Sequence, residues 1–442
     1  MRAWILTAVS ALLGGCFSPD YGPGGFACNK TSECPGGYSC VVESTGKVCR
    51  KGGAPLDLAR PDQARDGSKI DGRASPDGQR DGRRPDGLKV DGALPPCAKP
   101  SVVTTDTHNG PQAFDQVLDG SGSPHILFVD AKTNVSHAVY KGSWSVTALP
   151  FSASQVAVAL SSDTLSGTLQ AAFRALDAGF TPRLWHTYRD LPIGAWAKPV
   201  MVSTTLAAVN ADIAAYKDLL YIAATGKTSS SILEMYRAVK DTSGYSYTLY
   251  ASQTNDYSHA RVGVGPAHAG ITAFIQAGTT TAWALRRDPH AAGPGTQQSV
   301  PGNQSGPAGP AAVAMDSGNQ LHLALVRGKG TSGPLYHVTW SGIATDKPVE
   351  SLVAASCVVS SVDIALDQTG TPVISYYDDV AGEVRLARRE SPVKWIPITV
   401  SPAKVSVNTR IAVYKNVANV AYDRLATGGS WIDLYHTTCT LP

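Results

Sequence analysis

From residue 97 onward the chain alternates short apolar runs with clusters of Gly, Asn, Asp, Ser and Thr. No run keeps the spacing of three and four that an amphipathic helix requires. Runs this short, rich in Val, Ile, Tyr and Thr, read as strands, and the clusters between them read as turns. The pattern also repeats. Val117–Asp130 (VLDGSGSPHILFVD) lies over Ala365–Asp378 (ALDQTGTPVISYYD) without a gap. Ala314–Val326 gives another copy, with Asp316, Asn319 and His322 in step. Asn210–Lys217 (NADIAAYK) matches Asn408–Lys415 (NTRIAVYK), and weaker copies begin near Ala157 and Arg261. Seven units result, spaced 42 to 55 residues apart. Each reads as strand, turn, strand, loop, strand, turn, strand, and the fourth strand starts at or beside Trp144, Trp196 and Trp395 in three of them. Four short strands per unit of about 45 residues specify a propeller blade. The expected fold is all-β, a seven-bladed β-propeller over 97–442.

The N-terminal part has a different texture. Arg2 precedes an apolar run, Ala3–Leu13, of the length of a secretion signal and too short to span a bilayer as a helix. Leu13-Gly14-Gly15-Cys16 resembles the bacterial lipobox. That resemblance implies a signal peptide over 1–15 and a mature lipoprotein that begins at an acylated Cys16, with palmitate-like chains. Several chains, at about 0.8 kcal/mol per buried methylene, anchor firmly where one would not. Phe17 stands where retention at the inner membrane usually has Asp, so the outer membrane is expected, on its periplasmic face or the cell surface. Residues 16–52 hold Cys28, Cys34, Cys40 and Cys49, with no apolar core to support them. Two disulfides of open connectivity are expected there. The C-x5-C and C-x8-C spacings do not suit zinc. Residues 53–96 repeat Asp-Gly at Asp66, Asp71, Asp77, Asp81, Asp86 and Asp91 with almost nothing apolar between. They read as a disordered linker, roughly 35 Å end to end, and they lack a calcium-loop pattern.

Composition narrows the function classes. Charged residues are 17% and the formal net charge is +3, so there is no concentrated basic face for nucleic acid. No metal and no cofactor is expected, and the chain is expected to be a monomer on its lipid anchor. Export places eight cysteines in an oxidising space. The seventh unit runs out after its third strand, Ser430–Thr438, so Ser101–Thr105 is expected to return as its fourth. A Cys97–Cys439 disulfide would then replace the turn between them. Cys357, on the crossover between the fifth and sixth units, is left as the free thiol.

The D-x-x-G-x-P units resemble the blades of bacterial sialidase-like and lectin-like propellers, over about three quarters of the chain. The resemblance implies fold more than function, because propellers host many activities. The sialidase Asp box is not matched. Gly226-Lys227-Thr228 resembles the end of a phosphate loop, but Tyr221 occupies the first Gly position and the segment lies inside a blade. His137, His186, His337 and His436 share one position of the third strand. Rotation between blades keeps them too far apart to share an ion at about 2 Å. They are expected to pack between blades, each hydrogen-bonded within its own.

One set converges. The innermost strands start with Asp115, Ala157, Asp212, Arg261, Ala312, Asp363 and Arg410. Asp130, Asp378, Asp379 and Asp423 end second strands at the same rim. Blade order sets Asp212 beside Arg261, and Arg410 between Asp363 and Asp115. Those pairs are expected to fix the rim, with Ala157 and Ala312 as small gaps and Asp130, Asp378 and Asp423 left to contact ligand. The expected function is binding of a glycan or protein at the axial mouth. A scaffold of the cell envelope and a glycan-cleaving enzyme are the alternatives. The enzyme would need carboxylates roughly 5–10 Å apart, with Asp115, Asp212 and Asp363 as the set.

Overall fold

Turn chemistry decides where strands begin and end in this chain. Asp119, Asp130, Asp177, Asp316 and Asp367 build the same turn. In each, Oδ1 accepts the backbone N–H groups of the residues two and four further on, at 2.8–3.0 Å. The residue three after each Asp has positive φ: Gly122, Thr133, Phe180, Asn319 and Gly370. A short carboxylate that mimics a backbone carbonyl makes this reversal possible.

The structure is a computed structural model. It describes residues 38–43, 46–51, 97–107, 113–161, 167–217, 219–227, 231–242, 244–254, 257–265, 270–276, 282–287, 296–299, 308–327, 332–341, 348–378, 380–401, 408–425 and 432–442. Of the described residues, those within 38–51, 250–259, 270–310 and 356–360, and a few at strand ends, are described by their backbone alone. Cys16, Cys28, Cys34 and the linker lie outside the described residues.

Two compact units divide the chain, one within Cys16–Asp91 and one that includes Gly92–Pro442. The described part of the first is a hairpin, Tyr38–Glu43 with Gly46–Lys51, whose register sets Cys40 opposite Cys49. The second is all-β, and all its described sheets are antiparallel. Sheet A holds Phe114–Leu118, Pro124–Val129, Asn134–Tyr140 and Trp144–Ser152. Sheet B holds Gln155–Ser161, Thr168–Leu176, Pro182–Asp190 and Val200–Met201. Sheet C holds Ala207–Tyr216, Leu219–Lys227, Ser231–Asp241 and Gly244–Thr254. Sheet D holds Tyr257–Val264, Gly270–Gln276, Ala282–Arg287 and Thr296–Ser299.

Sheet E has seven strands, Ala308–Met315, Leu321–Arg327, Ser332–Trp340, Val349–Leu366, Pro372–Asp378, Glu383–Ser391 and Lys394–Ser401. Its long strand, Val349–Leu366, pairs with Ser332–Trp340 through its first part and with Pro372–Asp378 through its second, changing partner around Val358. The crossover expected there is continuous strand, and the side chain of Cys357 lies outside the described residues. Sheet F holds Thr409–Tyr414, Val417–Leu425 and Ile432–Thr440, and its fourth strand is Ser101–Thr107 from the start of the domain. The expected Cys97–Cys439 disulfide is formed, and Ala98 N–H donates to the Thr438 carbonyl at 2.8 Å.

The core follows the sheets. Apolar clusters sit between successive sheets: Leu127, Val129, Val156 and Phe173 between A and B, and Leu184, Leu206, Ile213 and Ile222 between B and C. Val103, Phe114, Ile126 and Leu434 join F to A. Sheets A and B are therefore buried on both faces, and the second strand of sheet A, Pro124–Val129, is buried throughout. The arrangement is propeller-like.

Candidate functional site

The innermost strand of every sheet faces one axial cavity of about 510 Å³. Asp115, Ala157, Asp212, Arg261, Asp363 and Arg410 all line it, so the positions expected to share a rim do share one space. Ala312 is buried in the core beside it, and sheet E contributes Val313, Ala314 and Met315.

The three aspartates do the same structural work. Asp115 Oδ2 accepts the Val158 N–H at 2.8 Å, Asp212 Oδ2 the Val262 N–H at 2.7 Å, and Asp363 Oδ2 the Ile411 N–H at 2.9 Å. Each bond runs from one inner strand to the inner strand of the next sheet. Arg410 Nε meets Asp115 Oδ1 at 3.2 Å, while its Nη1 donates to the Thr409 carbonyl at 2.9 Å. Its guanidinium carbon lies 5.9 Å from the Phe114 ring centroid. Arg410 was expected to bridge Asp363 and Asp115. Its ion pair is with Asp115, and Asp363 reaches sheet F through the Ile411 amide. Burial pushes the Asp363 carboxyl up to about 6 against the opposing charge of Arg410. Burial likewise raises Asp212, and the charge of Arg261 acts against it. Arg261 is itself lowered by burial, with Asp212 opposing.

Asp130, Asp378 and Asp423 correct the expectation of free carboxylates. None lines the axial cavity. Asp130 closes its turn and accepts the Asn134 side-chain amide at 2.9 Å. Asp378 is 2% exposed, pairs with Arg385 at 2.8 Å and accepts the Ala381 N–H at 3.0 Å. Asp423 is 1% exposed and accepts the Asn408 backbone and side-chain N–H groups at 2.8 and 2.7 Å. Acceptors at strand ends are drawn into the nearest loop, because a buried carboxylate must be paired. Asp379 lies outside the described residues.

The four histidines pack between sheets, or between the two halves of sheet E, as expected, but their partners extend beyond their own four strands. His137 stands edge-on to Trp196, His337 is 5.0 Å from Trp395 between centroids, and His436 stands edge-on to Trp144. His186 Nδ1 and the Tyr247 hydroxyl are 2.8 Å apart. Sequence reasoning missed their second-strand partners, His125 and His322. His125 Nδ1 lies 3.0 Å from His137 Nε2, and His322 Nδ1 lies 3.1 Å from His337 Nε2. The signal was available: both follow their turn aspartates, Asp119 and Asp316, by six residues, as Arg183 follows Asp177. Gln116 was missed too. Its Nε2 donates to the Arg410 and Asn419 carbonyls across the sheet F boundary, and its Oε1 is buried without a partner. Among the described residues no cluster of three His, Cys, Asp or Glu could hold a metal, and no helix is long and apolar enough to cross a membrane.

No family model and no curated protein matches the chain. Solved structures do resemble it. An ulvan lyase of a new polysaccharide lyase family has a TM-score of 0.53 at 11% identity, over 76% of this chain and 95% of that one. The polysaccharide lyase Uly1 has a TM-score of 0.50 at 8% identity, over 76% of this chain and 91% of that one. A lectin from Aleuria aurantia, in complex with Fucα1-6GlcNAc, has a TM-score of 0.46 at 10% identity, over 68% of this chain and 98% of that one. The likeness to the lyases is one of fold.

Proposed function

We propose that this chain is an exported lipoprotein, acylated at Cys16, whose disulfide-rich module and stalk carry a seven-bladed propeller that binds a glycan in its axial cavity. The seven blades are sheets A to D, the two halves of sheet E and sheet F, closed by Ser101–Thr107. The outer membrane is the proposed location, on the argument from Phe17.

The axial cavity carries this reading. Its volume lies in the range of ligand pockets. Three carboxylates, two guanidiniums and the Gln116 amide stand in a wall otherwise made of Val, Ala, Ile, Leu, Gly263 and Met315. That combination matches a sugar, which presents hydroxyls at its rim and C–H faces between them. Two polysaccharide lyases share the fold, which favours a glycan over a protein ligand. The latch bonds use one oxygen of each aspartate, so the strands are held in place before any ligand arrives. A preorganised wall costs less ordering on binding.

The experiment is a glycan array probed with the mature full-length protein in detergent, with hits measured by calorimetry. Leu160→Trp places a bulky ring at a half-buried position of the cavity wall and should abolish binding of the hits. A blank array, or hits that Leu160→Trp binds unchanged, would sink the axial site. Cys16→Ala should move the protein from the membrane to the soluble fraction.

A further inference from the structure

A second cavity, of about 420 Å³, opens between sheets F and A. It is where the repeat breaks its own rule. Where sheet A meets sheet B, the third-strand His137 is satisfied on both sides: Nε2 by His125, Nδ1 by the Arg189 guanidinium at 3.0 Å. Within sheet E, His337 has His322 as partner, and the charge of Arg389 acts on it. In sheet B, Gln170 Oε1 takes the second-strand place, 3.0 Å from His186 Nε2.

Strand register identifies the matching residues of sheet F. His436 pairs with Ala421, as His137 pairs with Leu127, His186 with Ala172 and His337 with Ala324. The partner stands two residues earlier in each second strand: His125, Gln170, His322, and in sheet F Asn419. Asn is one methylene shorter than Gln. His436 Nε2 is left buried with no hydrogen-bond partner, although the residue is only 5% exposed. The Arg189 position, three residues after the third-strand histidine, is Tyr140 in sheet A. The aspartate that anchors His125 and His322 has no counterpart, because sheet F turns tightly through Lys415. One shortened, one replaced and one missing partner meet at this boundary, and Asn419, His436, Tyr140 and Tyr414 line the void there.

We propose that this void is a second ligand site, for one sugar ring of a neutral or acidic glycan, held by His436 and Asn419. It goes beyond the axial site and does not depend on it. A buried unpartnered ring nitrogen costs free energy unless a ligand or water satisfies it. Burial keeps the His436 imidazole neutral at physiological pH, pushed down to about 4, so the unpartnered Nε2 is a donor or an acceptor as the tautomer sets. A sugar hydroxyl answers either. Tyr140 (39% exposed) and Tyr414 supply aromatic surface for the C–H face, and Ser123 adds a hydroxyl. The one charged side chain on the wall is Lys99, which favours a carboxylate substituent over a cation.

The repeat supplies its own test. Asn419→Gln installs the sheet B arrangement and Asn419→His the sheet A arrangement; each should satisfy His436 and fill the site. The probes are the methyl glycosides of glucose, galactose, mannose and fucose, and glucuronic acid, titrated into the full-length protein by ligand-observed NMR. At least one probe should bind the unaltered protein. Both variants should fold with an undiminished melting temperature and bind it at least about tenfold more weakly. Leu160→Trp should leave this binding intact. No binding by any probe, or equal binding by both Asn419 variants, overturns the site. Variants that fail to fold overturn it too, because they would show that His436 does not accept these partners. Binding lost in Leu160→Trp but kept in both Asn419 variants would overturn this site and leave the axial one standing.

Discussion

At the scale of single residues, the aspartates were legible as repeats, but their partners were not. Spacing shows that Asp119, Asp316 and Asp367 start equivalent turns. The six-residue spacing sets His125 and His322 within reach of Asp119 and Asp316, but it offers Asp367 only Val373 and does not show that Asp367 reaches Arg388 at 3.0 Å, because that choice lies in side-chain length and direction. For the same reason Asp130, Asp378 and Asp423 looked free in the sequence and are internally paired. The turns give a sharp test of backbone against packing. Gly122 and Gly370 occupy the same turn position with φ of 84° and 79°. A Cβ on Gly122 would stand 2.5 Å from the Tyr414 ring, whereas one on Gly370 meets nothing closer than 3.9 Å. Gly370→Ala should cost about 1 kcal/mol, the backbone penalty alone. Gly122→Ala should cost about 2–4 kcal/mol, because the ring must also move. Urea denaturation of the two variants compares them directly, and equal losses would show that Tyr414 gives way freely.

At the scale of strands, closure was readable because the seventh unit visibly lacked its last strand. The fourth strand of sheet B was not. Trp196 marks a strand start by analogy with Trp144, yet the strand is only Val200–Met201. Pro192, Gly194 and Pro199 flank the tryptophan, and Pro cannot donate to a ladder. Trp196 still packs on His137, so the packing role survived where the strand did not. The unbroken strand Val349–Leu366 was also hidden, since strong β-formers on both sides of Cys357 were divided between two units by the repeat. Closure carries its own prediction. Ser101–Thr107 pairs with Ile432–Thr440, and the Cys97–Cys439 bond beside that pairing joins residues 342 apart in sequence. Chain-entropy arithmetic for a loop that long gives about 6 kcal/mol, and native disulfides deliver about 2–5 kcal/mol. Replacing both cysteines by Ser should lower the melting temperature and expose residues 97–107 to limited proteolysis. An unchanged melt with no new cleavage would mean that strand pairing alone closes the sheet.

At the scale of the whole molecule, burial between sheets sets the response to acid. Burial pushes His137, His186 and His337 down to about 3 and His436 to about 4, from an ordinary value of 6.5. A histidine depressed in the folded state takes up its proton more readily when unfolded. Its stabilising contribution is complete above about pH 6.5 and is lost as the pH falls toward 4. Asp363 acts in the opposite sense. Raised to about 6 from 3.8, it holds its proton better when folded, so its contribution is complete below 3.8 and lost as the pH rises through 6. Asp115 and Asp212, also raised by burial, share that direction. At pH 5 each of the four histidines withholds on the order of 2 kcal/mol, and Asp363 returns on the order of 1 kcal/mol. The histidines prevail. The melting temperature of the full-length protein should fall by several degrees between pH 7.5 and pH 5. His186→Gln should flatten that fall, because Gln can still meet Tyr247 or Gln170 without a proton to gain. His125 and His322, depressed too, add to the same slope. A melting temperature that rises on acidification would mean that the aspartates of the axial wall, not the histidines between the sheets, dominate the protonation balance.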